Sequence, residues 1–204
     1  MTWAQQEYVG EFQRFSASHS TDDKGNPLLS WRVHVLPQLG EEALYREFHL
    51  DEPWDSEHNM KLLEKMPDVF ADPELTLEKG HTLFVGNSIK GGMFGPGKHG
   101  ESNPTGASYA EVEDGTSNTV AFMRMTDKSN SIPWTKPVDL PTDDQDEIMK
   151  LLGLGKASNS KCILGFVDGS VRGYSNITAE QLKGILTISG GENVDDFVWG
   201  GDWR

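Results

Sequence analysis

Residues 162–174 read Cys162-Ile-Leu-Gly-Phe-Val-Asp-Gly-Ser-Val-Arg-Gly-Tyr174, and this stretch decides the fold class. Two runs, 162–167 and 170–174, flank Asp168-Gly169. An Asp-Gly pair readily takes the positive φ values that a tight hairpin turn requires, so the stretch predicts two antiparallel strands. Upstream, residues 81–85, 107–112 and 119–125 read as further strands. Asp114-Gly115 stands between the last two, where the following Thr-Ser-Asn predicts a longer loop. Downstream, Thr178 caps a helix carrying Leu182, Ile185 and Leu186 on one face, with Glu180 and Gln181 in its first turn.

The first half has a different period. Trp3, Tyr8, Val9, Phe12 and Phe15 predict one amphipathic helix over 3–17. A polar turn region follows over 19–27. Ser30 is placed to cap a short helix through Trp31, Val35 and Leu36, which Pro37 kinks or stops. Residues 41–48 predict a second helix. A third starts at Asp55 or Ser56, carries Leu62, Leu63 and Met66, and ends at Pro67. The stretch 86–106, with Gly91-Gly92 and Gly95-Pro96-Gly97, reads as a long polar loop. Residues 131–141 are proline-rich and extended, and 143–152 predict a short helix with acids at its positive end. Helices first and strands later favour α+β, with N-terminal helices on a small antiparallel sheet and irregular loops. One domain over 1–204 is expected, with a helix and turn in 1–27 and an acidic, aromatic tail in 192–204.

The net charge of −14 argues against nucleic acid and against an anionic membrane surface. It is compatible with basic partners and with Ca2+. No run of 18 apolar residues exists, so no membrane insertion by this chain is expected. No basic-then-apolar start reads as a secretory signal. With one cysteine, Cys162, no intrachain disulfide can form; among apolar neighbours it reads as a small buried hydrophobe.

The chemistry-bearing residues form no catalytic pattern. His34, His49, His58, His81 and His99 make neither His-x-x-x-His nor His-Glu-x-x-His, and no Gly-x-Ser-x-Gly exists. Gly95-Pro96-Gly97-Lys98-His99-Gly100 has phosphate-loop spacing but follows no convincing strand. The pairs Asp22-Asp23, Asp143-Asp144 and Asp195-Asp196 need not converge. Asp195, Asp196 and Asp202 are the candidate calcium ligands, because Ca2+ accepts oxygens from flexible loops; the alternative is a plain acidic tail. Trp54, Trp134, Trp199 and Trp203 are the candidate contact or ligand surface. For Pro53-Trp54 and Pro133-Trp134, packing of a loop onto the core is the competing reading. Arg14, Arg32, Arg46 and Lys61 place positive charge in the first half.

Several blocks carry a resemblance. They are Leu29-Ser-Trp-Arg-Val-His-Val-Leu-Pro37, Leu44-Tyr-Arg-Glu-Phe-His-Leu-Asp-Glu-Pro-Trp-Asp-Ser-Glu-His-Asn59, Asp114-Gly-Thr-Ser-Asn-Thr119, Val138-Asp-Leu-Pro141 and Phe166-Val-Asp-Gly-Ser-Val-Arg172. In order and spacing they resemble the planctomycete family labelled DUF1559, or SBP bacterial 10. The resemblance implies a head like those of type II secretion pseudopilins and type IV pilins, a helix against a small antiparallel sheet. It implies no enzyme activity and no cofactor, and a cell-surface or periplasmic setting. Two features depart from the family pattern. The apolar anchor helix is missing, which suggests a truncated head or a soluble paralogue. Ser158 stands where many members carry the histidine of a His-x9-Asp-Gly motif.

The function expected is a non-enzymatic, pilin-like structural or surface-assembly subunit, with protein partners and a homo-oligomer or filament as its product. The alternative is an extracellular binding module for a glycan, peptide or Ca2+. An enzyme would need His34, His49 or His58 to converge with acids.

Overall fold

The computed structural model describes residues 1–98, 100–101, 103–154, 162–174 and 177–191. The first helix, α1 (Thr2–Phe12), stops short of the expected residue 17, because Gln13 turns left-handed at φ 60° and its N–H caps Val9. Beyond it the chain is extended. Phe15 N–H donates to Ala107 O, and Gly106 N–H donates to Phe15 O. The buried Gln5 holds this exit, accepting from Ser16 N–H at 3.1 Å and donating to Ser16 Oγ at 2.6 Å.

A hairpin of β1 (His19–Thr21) and β2 (Pro27–Ser30) follows, closed by Asp22, whose carboxylate accepts from the backbone N–H groups of Lys24 and Asn26. Ser30 Oγ accepts from Arg32 N–H and caps α2 (Trp31–His34), as its sequence predicts. Pro37 opens a 3-10 turn, Pro37–Leu39. The helix expected over 41–48 shrinks to α3 (Glu42–Tyr45). The third expected helix is instead a 3-10 stretch, Asn59–Lys65. Asn59 accounts for the chain entering it: fully buried, it accepts from His49 N–H and donates to the carbonyls of His49, Glu52 and Pro53.

The strand expected over 81–85 divides in two, β3 (His81–Thr82) and β4 (Phe84–Gly86), with the buried Leu83 between them. Next come β5 (Val120–Arg124) and β6 (Ile132–Pro133). β3 pairs with β6, whereas β4 pairs with β5. Residues 107–112 form no strand; Ser108 and Glu111 make a capping box on the 3-10 turn Tyr109–Glu111. Asp144 caps α4 (Gln145–Leu151). The opening hairpin forms as predicted from β7 (Cys162–Phe166) and β8 (Val171–Tyr174), with Gly169 at φ 90°. A capping box of Thr178 and Gln181 starts α5 (Ala179–Leu186).

The main sheet has four antiparallel strands in the order β4-β5-β7-β8. The fold is α+β with helices on both faces. On one face α1 lies against the β7–β8 hairpin, where Thr2 Oγ1 donates to Gly169 O and Gln6 Nε2 to Asp168 O. Gly165 admits this contact, since a Cβ there would stand 3.2 Å from Thr2 Cγ2. The core on this side is aromatic: Trp31 meets Phe122 at 4.8 Å and Phe70 at 5.9 Å, and Phe70 stacks on Trp134. On the other face Val85, Met123, Cys162 and Leu164 meet Ile148 of α4 and Leu182 and Leu186 of α5. The strands buried on both faces explain the near-continuous apolar run 120–123. Among the described residues, no helix is long and apolar enough to cross a membrane.

Candidate functional site

Ser30 fixes α2 so that Trp31 and Arg32 both point inward. Arg32 is 0% exposed, and its guanidinium donates to Ser30 Oγ at 2.7 Å, to Phe84 O at 2.6 Å and to Asp139 Oδ1 at 2.9 Å. The same Asp139 oxygen accepts from Trp31 Nε1 at 3.0 Å and from Gly86 N–H at 2.8 Å. Only glycine fits here without displacing a neighbour, because a Cβ on Gly86 would stand 3.3 Å from Trp31 Nε1. Burial pushes Arg32 below the usual guanidinium range, and the nearby Asp139 opposes that shift. Two of the sequence blocks and strand β4 thus meet at one buried ion pair. Its donors and acceptors are occupied by one another, so its task is to join α2, β4 and the 138–141 segment.

A cleft of about 370 Å³ opens beside the β1–β2 hairpin. Its lining includes Thr21, Asp22, Asp23, His34, Asp51 and Glu101. The β1–β2 hairpin, α2, residues 50–51 and residues 100–101 bring these side chains together. Asp22 is occupied by its own turn, and Glu101 accepts from Thr105 N–H. Asp23 and Asp51 are exposed and accept no hydrogen bond among the described residues. His34 is 3% exposed, and neither ring nitrogen has a partner among the described residues; the Thr21 hydroxyl, in a residue 5% exposed, has none either. Burial, with a smaller contribution from nearby His19, pushes the His34 pKa down to about 3, so the ring is neutral. A neutral imidazole keeps one bare nitrogen to accept and one N–H to donate.

The other candidates from the sequence separate. His49 and His58 do come together, stacked at 3.5 Å between ring centroids and nearly parallel. His49 Nδ1 lies 2.9 Å from Glu52 Oε1, and His58 Nε2 lies 2.7 Å from Glu47 O. Neither lines the cleft that His34 lines. Cys162 is buried in the second core, and burial pushes its thiol up to about 12. Trp134 is no surface contact. It is 0% exposed and donates Nε1–H to Leu63 O, so the packing alternative holds for Pro133-Trp134. Trp54 is half-buried against the first core, with Lys136 over its ring at 5.4 Å. Trp199 and Trp203 lie outside the described residues, as do Asp195, Asp196, Asp202, Ser158 and His99. The expected positive charge of the first half is neutralised locally. Arg32 is buried on Asp139, while Arg14, Arg46 and Lys61 pair with Glu111, Glu42 and Glu57.

A smaller recess of about 100 Å³, lined by Met1, Thr2, Phe84, Phe122, Ile163 and Val171 among others, lies where α1 begins on the sheet. Val171 is 57% exposed there, and Trp3, the next residue along α1, is 59% exposed. Tyr109 is also exposed.

The sequence blocks gave no hint of the cleft, which depends on the fold bringing residues 21, 34, 51 and 101 to one opening, and no local pattern encodes that. The only local signal was Asp22-Asp23.

The profile of one family, described as "Protein of unknown function (DUF1559)", matches residues 1–158. The match takes in α1, ahead of the motif blocks, and ends before the β7–β8 hairpin. No curated protein and no solved structure matches the chain.

Proposed function

Because this chain belongs to the DUF1559 family, we propose that it is a non-enzymatic, pilin-like head, a structural or surface-assembly subunit that works by contact with further copies of itself. The observation that carries this is the seating of α1. Its first turn lies on an antiparallel sheet, and Trp3 and Val171 stand exposed where it begins. Two large apolar side chains at one end of a helix–sheet layer are suited to burial against another subunit. The motif blocks support the same reading by what they do. Ser30, Arg32, Asn59 and Asp139 are spent on caps, turns and a buried ion pair. Asp114 accepts from the N–H groups of Gly190 and Gly191, and Asp168 from that of Ser170. Such blocks specify a scaffold. The setting we propose is the cell surface or periplasm.

With a net charge of −14, copies repel at low ionic strength, so assembly should strengthen with salt. Light scattering after size exclusion, across protein concentration, at low and moderate salt and with and without Ca2+, tests this, with electron microscopy of the same samples. Oligomers that Trp3→Ser and Val171→Ser dissolve support the proposal. A monomer under every condition overturns it.

The acidic cleft favours a second reading, an extracellular binding module for a peptide, glycan or Ca2+.

A further inference from the structure

We propose that the cleft beside the β1–β2 hairpin binds an alkylammonium group, as carried by a polyamine or by a lysine side chain. This deepens the binding-module reading and rests on it, and it is independent of assembly.

Two separate observations point to a ligand. The first is charge. Asp22, Asp23, Asp51 and Glu101 surround one opening, and Asp23 and Asp51 have no cationic partner among the described residues. Glu42, Glu57, Glu64 and Glu111, elsewhere on the surface, each pair with Lys or Arg, whereas Asp23 and Asp51 stand with two further acids around one opening. The second is an interior that lacks partners. His34 and Thr21 line the same cleft, both more than nine-tenths buried, with three polar atoms that bond to nothing described. Buried polar atoms in native proteins almost always have partners, so an orphaned set in a cleft wall marks where a ligand or bound water bonds.

The two sets of groups suit one chemistry. An ammonium carries three N–H donors. It can give one to the bare nitrogen of His34 or to Thr21 Oγ and others to Asp23 or Asp51, while its alkyl stem lies against Leu28 and Leu50 in the same lining. A metal ion fits less well. No three His, Cys, Asp or Glu side chains among the described residues are grouped to hold one, and Asp22 is already occupied by Lys24 and Asn26. A glycan fits less well too, because no Phe, Tyr or Trp among the described residues lines the cleft to stack on a sugar.

The test is titration of the full chain with 1,4-diaminobutane and, separately, with Nα-acetyl-lysine amide. Isothermal calorimetry and the ring 15N resonances of His34 are read together. Ca2+, maltotriose and 1,4-butanediol are run at matched ionic strength. The expected result is saturable binding of one or both amines that moves the His34 resonances. Asp23→Asn/Asp51→Asn, on the exposed rim where folding is unaffected, should weaken binding at least roughly tenfold, the size of losing one charge-assisted bond. Binding of the diamine alone points to a polyamine, and binding of the lysine amide points to a peptide. If neither amine binds, or if the double variant binds equally well, the proposal is overturned. Should Ca2+ or maltotriose bind the cleft while the amines do not, the ammonium proposal falls and the binding-module reading stands. If none binds, both fall.

Discussion

Replacing Asp139 by alanine should be among the most damaging single changes in this chain. The Asp139 carboxylate is almost wholly buried, and its Oδ1 takes three hydrogen bonds at 2.8–3.0 Å, from Gly86 N–H, Arg32 Nη2 and Trp31 Nε1. Alanine removes the only carboxylate paired with Arg32 among the described residues and strands two further buried donors. Arg32 would keep Ser30 Oγ and Phe84 O, which satisfy N–H groups but not the charge. Breaking one side of a buried pair costs about 3–5 kcal/mol. In a chain of this length that lowers the melting temperature by about 6–20 °C. Asp139→Asn keeps an acceptor oxygen without the charge, so it should lie between wild type and alanine. Urea denaturation at neutral pH measures both variants, together with Arg32→Met and the Arg32→Met/Asp139→Ala double. Since the groups touch, the double should fall short of the sum of the singles by about 1.5 kcal/mol or more. A loss of under about 1 kcal/mol for Asp139→Ala, or strict additivity, would refute a role for the pair in holding the fold together.

Other expectations are more local. His34 has a folded pKa of about 3 against 6.5 when unfolded, so the unfolded chain binds its proton first as pH falls. The stability due to neutral His34 is complete above 6.5 and is lost below it, by about 2 kcal/mol at pH 5. His19, also pushed down by burial, adds a slope of the same sign. Urea titrations at pH 7 and pH 5 should show wild type losing more than His34→Gln, and equal losses would contradict a buried neutral ring. Cys162, with its thiol raised to about 12, should resist a thiol reagent at pH 8 in the native state and react once denaturant is added. Prompt reaction in the native state would show that the second core is open. Thr178→Ala removes the Oγ that accepts from Gln181 N–H, and should cost about 1 kcal/mol by the same denaturation assay.

What could be read from the sequence was chemistry that closes within a few residues. Asp168-Gly169 is a turn whatever surrounds it, Ser30 caps the helix that begins next to it, and Thr178 caps α5 in a box that spans only the four residues to Gln181. Three readings failed for one reason: alternation and periodicity describe a face to be buried but not the partner. The stretch 81–85 looks like one strand, yet its ends pair with different strands. Residues 107–112 carry a strand-like pattern, yet Glu111 folds back on Ser108 N–H and Oγ. The helix expected from residue 55 loses its start to Asn59, whose amide satisfies carbonyls six to ten residues upstream. The buried ion pair joins residues 107 positions apart. Neither the burial of Arg32, which read only as positive charge in the first half, nor the cleft could have been found without the fold.

The acidity of the chain divides in two once its carboxylates are followed to their partners. A fold with short strands and long connections leaves many backbone N–H groups outside any ladder, and each needs an acceptor. Aspartate is a compact way to supply one. Asp22, Asp72, Asp114, Asp127, Asp144 and Asp168 all accept from nearby or distant backbone N–H groups, and Asp72 in addition holds Arg124 through two bonds. These acids hold loops in shape, so a scaffold built from such loops must be acidic whether or not it binds anything. Asp23 and Asp51 fall outside that explanation. They close no turn and meet no cation among the described residues, yet they stand at the mouth of a cleft whose wall carries orphaned polar atoms. Charge that the fold does not consume, facing hydrogen-bonding capacity that the fold does not satisfy, is where a ligand gains most at least cost to the scaffold.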